Sequence, residues 1–386
     1  MRTIGVVTTS RADYGIYLPV LRRIEAEPGL ALKLFVAGMH LRPEHGLTVR
    51  QIQADGFAIA ARLDFLTGDA PADIAAAMGR AVTAYAEAFA RWRPDALLVL
   101  GDRFEMHAAA LAALPFNLPV AHLHGGELTQ GAMDDALRHS LTKLSHLHFV
   151  STEDYARRVR QIGEEPWRVT VCGAPALDHL GTLQLLKPAE LAAQFGVVVE
   201  PAPLLVTFHP VTLEAENTDA QVEELLASLT EIFLPLVFTA PNADTHGQAV
   251  KRRLLEFIAA RPQATMVESF GTQGYFSMMT AAAAMVGNSS SGIIEAPSFG
   301  LPVVNIGTRQ AGRVRGANVV DVACTRTAIS AGLRRALSPE FRAQARTAAN
   351  PYVQGNASEL IVQRLRDVPL DARLRMKQFA DINLTS

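Results

Sequence analysis

AHLHGGELTQGAMDDALRH, residues 121–139, carries the polar groups that follow an apolar strand predicted over residues 118–123. His124 comes first, two glycines follow, and then come Glu127 and the pair Asp134–Asp135. Open α/β sheets carry their chemistry at the carboxyl ends of the strands, and glycines let the backbone turn sharply there. A connection of ordinary length, about 4–6 residues, needs far fewer polar groups. We therefore interpret the segment as part of a functional site; a polar loop with Asp134 as a helix N-cap is the alternative.

The same succession of apolar strand, polar loop and helix recurs along the chain. Further strands are predicted over 4–8, 32–37, 96–100, 147–150, 168–172, 204–208, 236–239, 283–286 and 302–306, and one more is predicted to end at Val267. Helices are predicted over 18–25, 72–92, 104–114, 136–144 and 219–230, while residues 10–15 are predicted to form a loop. The strands are continuous apolar runs, which indicates sheets covered on both faces. Repeated strand–loop–helix units predict an α/β fold with parallel sheets.

The pattern is interrupted near residues 173–188, where glycine and proline occur, and it then begins again. We predict an N-terminal domain over 1–175, a C-terminal domain over 176–365 and a final segment over 366–386. The polar strand ends of both halves are expected to face one cleft.

Composition excludes several classes of protein. The chain has 386 residues, 49% of them hydrophobic, and a net charge of −2, so bulk attraction to nucleic acid or to an anionic membrane is not expected. No apolar run reaches the 18 residues of a spanning helix, and the first residues do not resemble a signal peptide. Cys172 and Cys324 fit a reducing compartment without disulfides. A cytoplasmic protein is expected.

The second half contains a loop that can hold a phosphate. Residues 287–292, GNSSSG, precede a helix predicted to start near Ile293, with Glu295 in its first turn. Backbone N–H groups at a helix start bind anions, and serine hydroxyls add donors. Arg309 and His209 each follow a predicted strand and can contact the same phosphates.

The first half offers carboxylates and cations at its strand ends. Arg11 and Asp13 follow the first strand, and Asp102 and Arg103 follow the strand over 96–100. Carboxylates in different environments supply both a base and an acid near neutral pH. Together with the residues of the 121–139 segment, they form a candidate catalytic set.

Several motifs occur in one order along almost the whole chain. They are SRADYG from residue 10, GMH from 38, LGDRFE from 100, HLHGGE from 122, DDALRHSLTKLSHLHF from 134, TFHPVT from 207, PNAD from 241, GNSSSGIIE from 287 and NIGTRQAGRVRGANVVDV from 305. With these motifs the chain resembles the hydrolysing branch of the UDP-N-acetylglucosamine 2-epimerases, which open sialic-acid and related nonulosonic-acid synthesis. The resemblance implies a GT-B-like fold: two Rossmann-like, doubly wound domains with the active site in the interdomain cleft. It also implies that a C-terminal helix crosses back to the first domain.

The resemblance also implies a reaction and the residues that carry it. UDP leaves C1 of the sugar as a base removes the C2 proton, and water adds to the resulting 2-acetamidoglucal to release N-acetylmannosamine. Neither a cofactor nor a metal is expected. The expected catalytic residues are Asp102, Glu127, Asp134 and His124, with Asp135 in reserve. The expected substrate-binding residues are Arg11, Arg103, His209, Asn242, Ser289, Ser290, Glu295 and Arg309.

One departure from the family pattern concerns His124. The non-hydrolysing branch has a glutamate followed by Ala-Gly at this point, and here Glu127 comes three residues later. Either His124 transfers the proton itself, or Glu127 supplies the missing carboxylate.

Other functions remain open at the level of sequence. Relatives acting on UDP- or GDP-linked 2,4-diacetamido-2,4,6-trideoxyhexose, in legionaminic acid synthesis, share the mechanism. A GT-B glycosyltransferase shares the fold, and the pair His122 and His124 resembles the start of a metal site of a hydrolase. The fourth alternative is a protein that binds a nucleotide sugar and does not catalyse a reaction. We expect a UDP-linked substrate and a homo-oligomer, a dimer or tetramer, with no nucleic-acid or membrane partner.

Overall fold

The computed structural model describes residues 1–68, 70–130, 132–210, 216–240 and 247–381, apart from the side chains of 247 and 248. These residues form two compact units. The first comprises Met1–Glu127, Asp134–Leu180 and the chain from Tyr352 onward; the second comprises 128–133 and 181–351. The sequence interpretation divides the chain at residues 175 and 365 instead.

Each unit is built on a parallel sheet. The first sheet has the strand order β3-β2-β1-β4-β5-β6-β7 and the second the order β10-β9-β8-β11-β12-β13. The strands are β1 (Arg2–Thr8), β2 (Leu30–Ala37), β3 (Ile59–Leu63), β4 (Ala96–Leu100), β5 (Val120–Leu123), β6 (Leu147–Val150), β7 (Val169–Val171), β8 (Leu204–Thr207), β9 (Leu236–Thr239), β10 (Ala264–Val267), β11 (Ala284–Gly287), β12 (Val303–Ile306) and β13 (Val319–Val322). Both orders follow the doubly wound Rossmann pattern.

Helices connect the strands and cover the sheets. They are α1 (Arg11–Ala26), α2 (Val49–Ala54), α3 (Pro71–Trp92), α4 (Phe104–Ala113), α5 (Met133–Leu144), α6 (Glu153–Gln161), α7 (Pro188–Phe195), α8 (Thr218–Leu229), α9 (Gly247–Ala259), α10 (Gly271–Ala281), α11 (Ser291–Ile294), α12 (Arg326–Ala336), α13 (Pro339–Thr347), α14 (Ala357–Asp367) and α15 (Ala372–Arg375). Of the helices in the described part of the chain, none combines the length and apolar character needed to cross a bilayer.

Both faces of the sheets are buried, as the continuous apolar runs predict. All five residues of β4 are buried. In β8, Leu204 and Val206 pack into one apolar cluster, while Leu205 packs into another. Because successive side chains of a strand point to opposite faces, both faces of this sheet are covered by apolar contacts. The α/β class with two Rossmann-like domains is confirmed.

The start of α1 corrects the loop predicted over residues 10–15. Ser10 is the N-cap of a helix that begins at Arg11, and Asp13 completes a capping box with it. The buried Asp13 carboxylate also accepts hydrogen bonds from Thr9 N at 3.1 Å and from Thr9 Oγ1 at 2.9 Å. Asp13 therefore stabilises the helix start, which corrects its place in the candidate catalytic set.

Two strands are absent from the sequence interpretation, β3 and β13. Each lies at the edge of its sheet and is only partly buried. Arg62 and Asp321 interrupt their apolar character. A short, half-exposed edge strand has no continuous apolar run, which was the signal used for the other strands.

The chain from Tyr352 onward packs within the first unit. In α14, Glu359 forms an ion pair with Arg23 of α1 at 2.9 Å. The buried Arg168 guanidinium donates hydrogen bonds to the carbonyl oxygens of Leu374 and Arg373, both at 2.8 Å. These contacts fix the C-terminal helices on the N-terminal sheet.

Candidate active site

Asp102 and His124 follow two strands that are neighbours in the first sheet. Leu100 at the end of β4 pairs with Leu123 at the end of β5. Gly101, the first residue after β4, donates its N–H to the Leu123 carbonyl at 2.9 Å. The sheet thereby places Asp102 and His124 at the same carboxyl edge, as the sequence predicts.

The backbone turns sharply as it leaves β5. His124 has a φ of 61°, in the left-handed region, and its N–H donates to the Phe149 carbonyl at 3.0 Å. Gly126 has a φ of 75°, and a Cβ there would lie 2.4 Å from the Tyr155 carbonyl oxygen. Only glycine fits at position 126, so Gly126 serves the turn as expected.

The ring of His124 is buried and held on one side. Its Nδ1 lies 2.6 Å from Oε1 of Glu127, and the same oxygen accepts a hydrogen bond from Ser151 Oγ at 3.0 Å. An ionised carboxylate only accepts hydrogen bonds, so Nδ1 carries the hydrogen. Nε2 of His124 is buried and has no hydrogen-bond partner among the described residues. Nε2 is therefore the ring nitrogen of His124 that no described protein group occupies.

Arg138 of α5 joins the two strand ends. Its buried guanidinium forms an ion pair with Asp102 and donates from Nη1 to the His124 carbonyl oxygen at 2.7 Å. Sequence analysis did not select Arg138. Its position in the DDALRH motif could have indicated it, because Arg138 comes one helical turn after Asp134 and lies on the same face of the helix.

Asp134 and Asp135 lie in the first turn of α5 and are half-buried. The helix begins at Met133, so Asp134 is not its N-cap, which corrects that alternative. Asp135 Oδ2 lies 3.8 Å from Nε2 of His139, one turn along the helix. Asp134 shares its helix face with Arg138 and Asp135 with His139, so the two carboxylates point in different directions.

His122 has no ring nitrogen left for a metal. Nε2 lies 2.7 Å from the Gly101 carbonyl oxygen and Nδ1 lies 3.1 Å from Thr142 Oγ1. Burial lowers the pKa of His122 to about 3, so the ring is neutral. Within the described residues, no group of three or more His, Cys, Asp or Glu side chains is arranged around a possible ion. His122 is a structural residue that connects β4, β5 and α5.

Two arginines lie at the carboxyl edge of the first sheet. Arg11 is the exposed first residue of α1. Arg103 follows β4, and the fully buried Glu105 holds it through Nε at 3.2 Å and Nη2 at 2.9 Å. Such a bidentate pair fixes the plane of the guanidinium.

In the second unit, the side chain of Asn288 organises the ends of β8 and β11. Its amide accepts the His209 N–H at 2.7 Å and donates to the His209 carbonyl at 2.8 Å. The Asn288 carbonyl in turn accepts hydrogen bonds from Arg309 at 3.2 Å and from Gln310 at 2.9 Å. Burial, and then the nearby Arg309 charge, lower the pKa of His209 to about 3. His209 and Arg309 are thus brought together as predicted.

The serine-rich loop leads into a helix of four residues only, α11 (Ser291–Ile294). Ser289 and Ser290 precede it, and Oγ of Ser289 lies 3.3 Å from both N and Oγ of Ser291. Glu295 is the C-cap of α11, not a residue of its first turn, which corrects the prediction. Asn242 lies outside the described residues, so its predicted role stays a prediction.

Residues 22–366 match the family model described as UDP-N-acetylglucosamine 2-epimerase. The chain belongs to this family. Two curated relatives cover almost the whole chain. The UDP-N,N'-diacetylbacillosamine 2-epimerase (hydrolyzing) of Legionella pneumophila is 36% identical over 98% of this chain and 99% of the relative. The polysialic acid biosynthesis protein P7 of Escherichia coli is 34% identical over 99% and 98%.

A solved structure from the same family has the same fold. The UDP-GlcNAc 2-epimerase from Neisseria meningitidis, bound to UDP-GlcNAc, aligns with a TM-score of 0.82 at 19% identity, covering 95% of this chain and 99% of that chain. The resemblance to hydrolysing UDP-N-acetylglucosamine 2-epimerases, the GT-B-like fold and the enzyme class of a nucleotide-sugar 2-epimerase are confirmed at the level of family.

The sequence predicted candidate catalytic side chains in the first unit, but not the side chains that hold them in place. It selected Asp102, His124 and Glu127, which the first unit brings to one edge. It did not select the four side chains whose hydrogen bonds orient the predicted residues. Arg138 bonds to His124 and Ser151 to Glu127, while Glu105 holds Arg103 and Asn288 holds His209. Supporting side chains are identified by contacts distant in sequence, which a single sequence does not show.

Proposed function

We propose that this chain is a hydrolysing 2-epimerase that converts UDP-N-acetylglucosamine and water into N-acetylmannosamine and UDP. The observation that carries the proposal is the oriented pair of His124 and Glu127 beside the Arg138–Asp102 ion pair at one sheet edge. Family membership supports the reaction class. The cytoplasmic location and the homo-oligomer stay predictions.

The first step is an elimination. A base takes the proton from C2, the C2–H electron pair forms the C1–C2 double bond, and the C1–O bond breaks with its electrons leaving on the UDP oxygen. In this proposal Nε2 of His124 or the Asp102 carboxylate accepts the proton. Glu127 keeps Nδ1 of His124 protonated and so keeps Nε2 available as a base.

The second step is a hydration. Water adds its oxygen to C1 of the 2-acetamidoglucal, and a proton reaches C2 on the face opposite to the one first deprotonated. Two proton transfers on opposite faces need two separate groups. We propose Asp134 as the second group, with Asp135 in reserve, because Asp134 shares the helix face of Arg138.

We propose that the nucleotide is held by His209, Ser289, Ser290, Glu295, Arg309 and Asn242, with Arg11 and Arg103 binding the diphosphate. The neutral His209 and the charged Arg309 lie around Asn288. Cations and N–H donors stabilise negative charge on a leaving diphosphate. Glu105 keeps the Arg103 guanidinium in one plane for this purpose.

A second candidate substrate is UDP-N,N'-diacetylbacillosamine. Two relatives with this substrate in their names are 36% and 38% identical to this chain, and one named for UDP-N-acetylglucosamine is 32% identical. The elimination and hydration steps are the same for both sugars, so the residues proposed above serve either substrate.

The test is product analysis with each sugar nucleotide in parallel, in the presence of excess EDTA. We expect UDP and the free 2-epimer from at least one of them. Asp102→Asn should lose turnover by about 10²-fold or more while keeping UDP affinity. Asp95→Asn, at the exposed amino end of β4, is the matched control and should retain full activity.

Three results would contradict the proposal. An intact sugar nucleotide in both reactions would exclude both substrates, and turnover only with an added sugar acceptor would indicate a glycosyltransferase. Loss of activity with EDTA, restored by a divalent metal, would indicate metal-dependent hydrolysis.

A further inference from the structure

A buried carboxylate that the proposed reaction does not use lies on the first unit. Glu164 is fully buried, and its carboxylate contacts His148 Nε2 at 3.0 Å, Lys143 Nζ at 2.8 Å and Lys377 Nζ at 2.8 Å. Burial alone raises the pKa of Glu164, but the hydrogen bonds from these three side chains outweigh it and lower the pKa to about 2. The carboxylate is therefore charged and needs its cations.

One of these cations comes from the far end of the chain. Lys377 follows α15, and its Nζ also donates to the Lys143 carbonyl at 2.8 Å and to the Ser145 carbonyl at 2.5 Å. With Glu164 as third acceptor, all three N–H donors of Lys377 are used. Lys143 belongs to the last turn of α5, where a cation is favourable for the helix dipole.

Three further contacts hold the same segment. A Cβ added at Gly163 would lie 2.4 Å from the ring of Phe379. The Lys143 ammonium stands 4.7 Å from the centre of that ring. The N–H of Ala380 donates to the Gly163 carbonyl at 3.0 Å. We call residues 376–381 the strap, because they bind both the end of α5 and the loop after α6.

Helix α5 is held by apolar packing and by polar contacts. Leu141 is the one large apolar side chain that it buries completely, and the half-buried Leu137 and Leu144 pack against the same core. Polar anchors add to this packing. Arg138 anchors it to Asp102 and His124, and Lys377 anchors its last turn.

We propose that the strap fixes α5 in the position that the reaction requires, and that Lys377 is a positioning residue of the enzyme. The proposal rests on the proposed function, since it assumes that Arg138 and Asp134 on α5 serve catalysis. Loss of the Lys377 anchor lets the last turn of α5 move, and the movement reaches the Arg138–Asp102 pair, because Arg138 is only five residues from Lys143 along the helix. A displacement of about 1 Å at a reacting group can cost up to about 10²-fold in rate.

The test compares Lys377→Met and Phe379→Ala with the parent enzyme. We expect Lys377→Met to lower kcat about tenfold, with KM and UDP affinity within about twofold of the parent, since the nucleotide-binding residues are not attached to the strap. Phe379→Ala, which removes no buried charge, should lower kcat about two- to threefold. Amide hydrogen exchange over residues 133–144 should become faster in both variants.

The matched control is Lys251→Met, which removes a lysine–glutamate ion pair, Lys251–Glu268 at 2.5 Å, from the second unit. It should change neither kcat nor exchange in α5. Restoration of most of kcat in Lys377→Arg would support a positioning role that depends on the cation.

Three outcomes are decisive. Unchanged exchange in α5 of a folded Lys377→Met or Phe379→Ala variant would overturn the proposal. Faster exchange with unchanged kcat would make the strap purely structural and would also overturn it. If Lys377→Met does not fold, the same criteria apply to Phe379→Ala. A parent chain inactive on both sugar nucleotides would refute the proposed function, while exchange in α5 would still test the strap.

Discussion

His124 combines a costly backbone conformation with a ring held on one side. A left-handed conformation costs a residue with a side chain about 1–2 kcal/mol, and here the hydrogen bonds of its N–H and its carbonyl maintain it. The conformation aims the ring at Glu127 and keeps Nε2 without a protein partner among the described residues. The strained backbone thus belongs to the residue whose ring is proposed to transfer the proton.

Replacement of Glu127 tests whether that orientation matters. Glu127→Gln keeps an oxygen for Nδ1 of His124 but removes the negative charge, so we expect kcat to fall by about 10²–10⁴-fold with UDP affinity unchanged. Glu153→Gln, an exposed glutamate that pairs with Arg160, is the matched control. Steady-state kinetics and UDP titration measure both. Near-full activity of Glu127→Gln would show that Glu127 is not needed.

At the residue scale, sequence reasoning left open whether His124 or Glu127 takes the proton. In the structure the two residues are joined by a hydrogen bond, in which Glu127 contacts Nδ1 of the His124 ring. They therefore act as a pair and not as alternatives. The sequence gives no indication that Ser151, 24 residues after Glu127, contacts its carboxylate, since that contact depends on how β6 pairs with β5. Residue types could be predicted from the sequence, and their pairing depended on the sheet.

Among the elements, β11 and the loop after it depend on a single glycine. Gly287 has a φ of 141°, and a Cβ there would lie 1.8 Å from the Thr207 carbonyl oxygen of β8. That φ is accessible essentially only to glycine. The close approach of β8 and β11 sets the positions of both His209 and Asn288.

Alanine at this position should therefore disrupt the second unit. We expect Gly287→Ala to lower the free energy of unfolding by about 3 kcal/mol or more and to abolish UDP binding. Gly79→Ala in α3, where a Cβ meets no atom within 4 Å, is the control and should stabilise the protein by about 1 kcal/mol. Urea unfolding of the two variants measures the difference. Equal stability of Gly287→Ala and the parent would contradict this interpretation.

Strand positions were predictable from the apolar runs, and the bounds of buried strands such as β8 and β12 differ from the prediction by one residue. The strands over 96–100, 147–150 and 236–239 match β4, β6 and β9 residue for residue. Helix α1 was predicted to begin seven residues too late, at residue 18 rather than 11, because the capping role of Asp13 was interpreted as site chemistry. The polar residues after a strand serve either a helix start or a ligand, and the spacing alone does not distinguish the two.

At the scale of the whole molecule, the repeated units predicted two Rossmann-like sheets. The six strands of the second sheet follow the same order as the first six of the first sheet, which has a seventh strand, β7, at its edge. The course of the chain between the units was not predictable. Residues 128–133 belong to the second unit although they lie inside the first half of the sequence, and Arg313 binds the Leu128 carbonyl at 3.0 Å. Such a crossing leaves no mark in composition or periodicity. The placement of the active site in a cleft between the domains stays a prediction.

The central claim is that the chain exchanges the C2 proton of its substrate with solvent while it releases UDP. The most direct measurement is proton NMR of the purified protein with UDP-N-acetylglucosamine in D₂O without added metal. The account predicts UDP together with N-acetylmannosamine that carries deuterium at C2. N-acetylmannosamine that retains its C2 hydrogen, or a free sugar without inversion at C2, would contradict it.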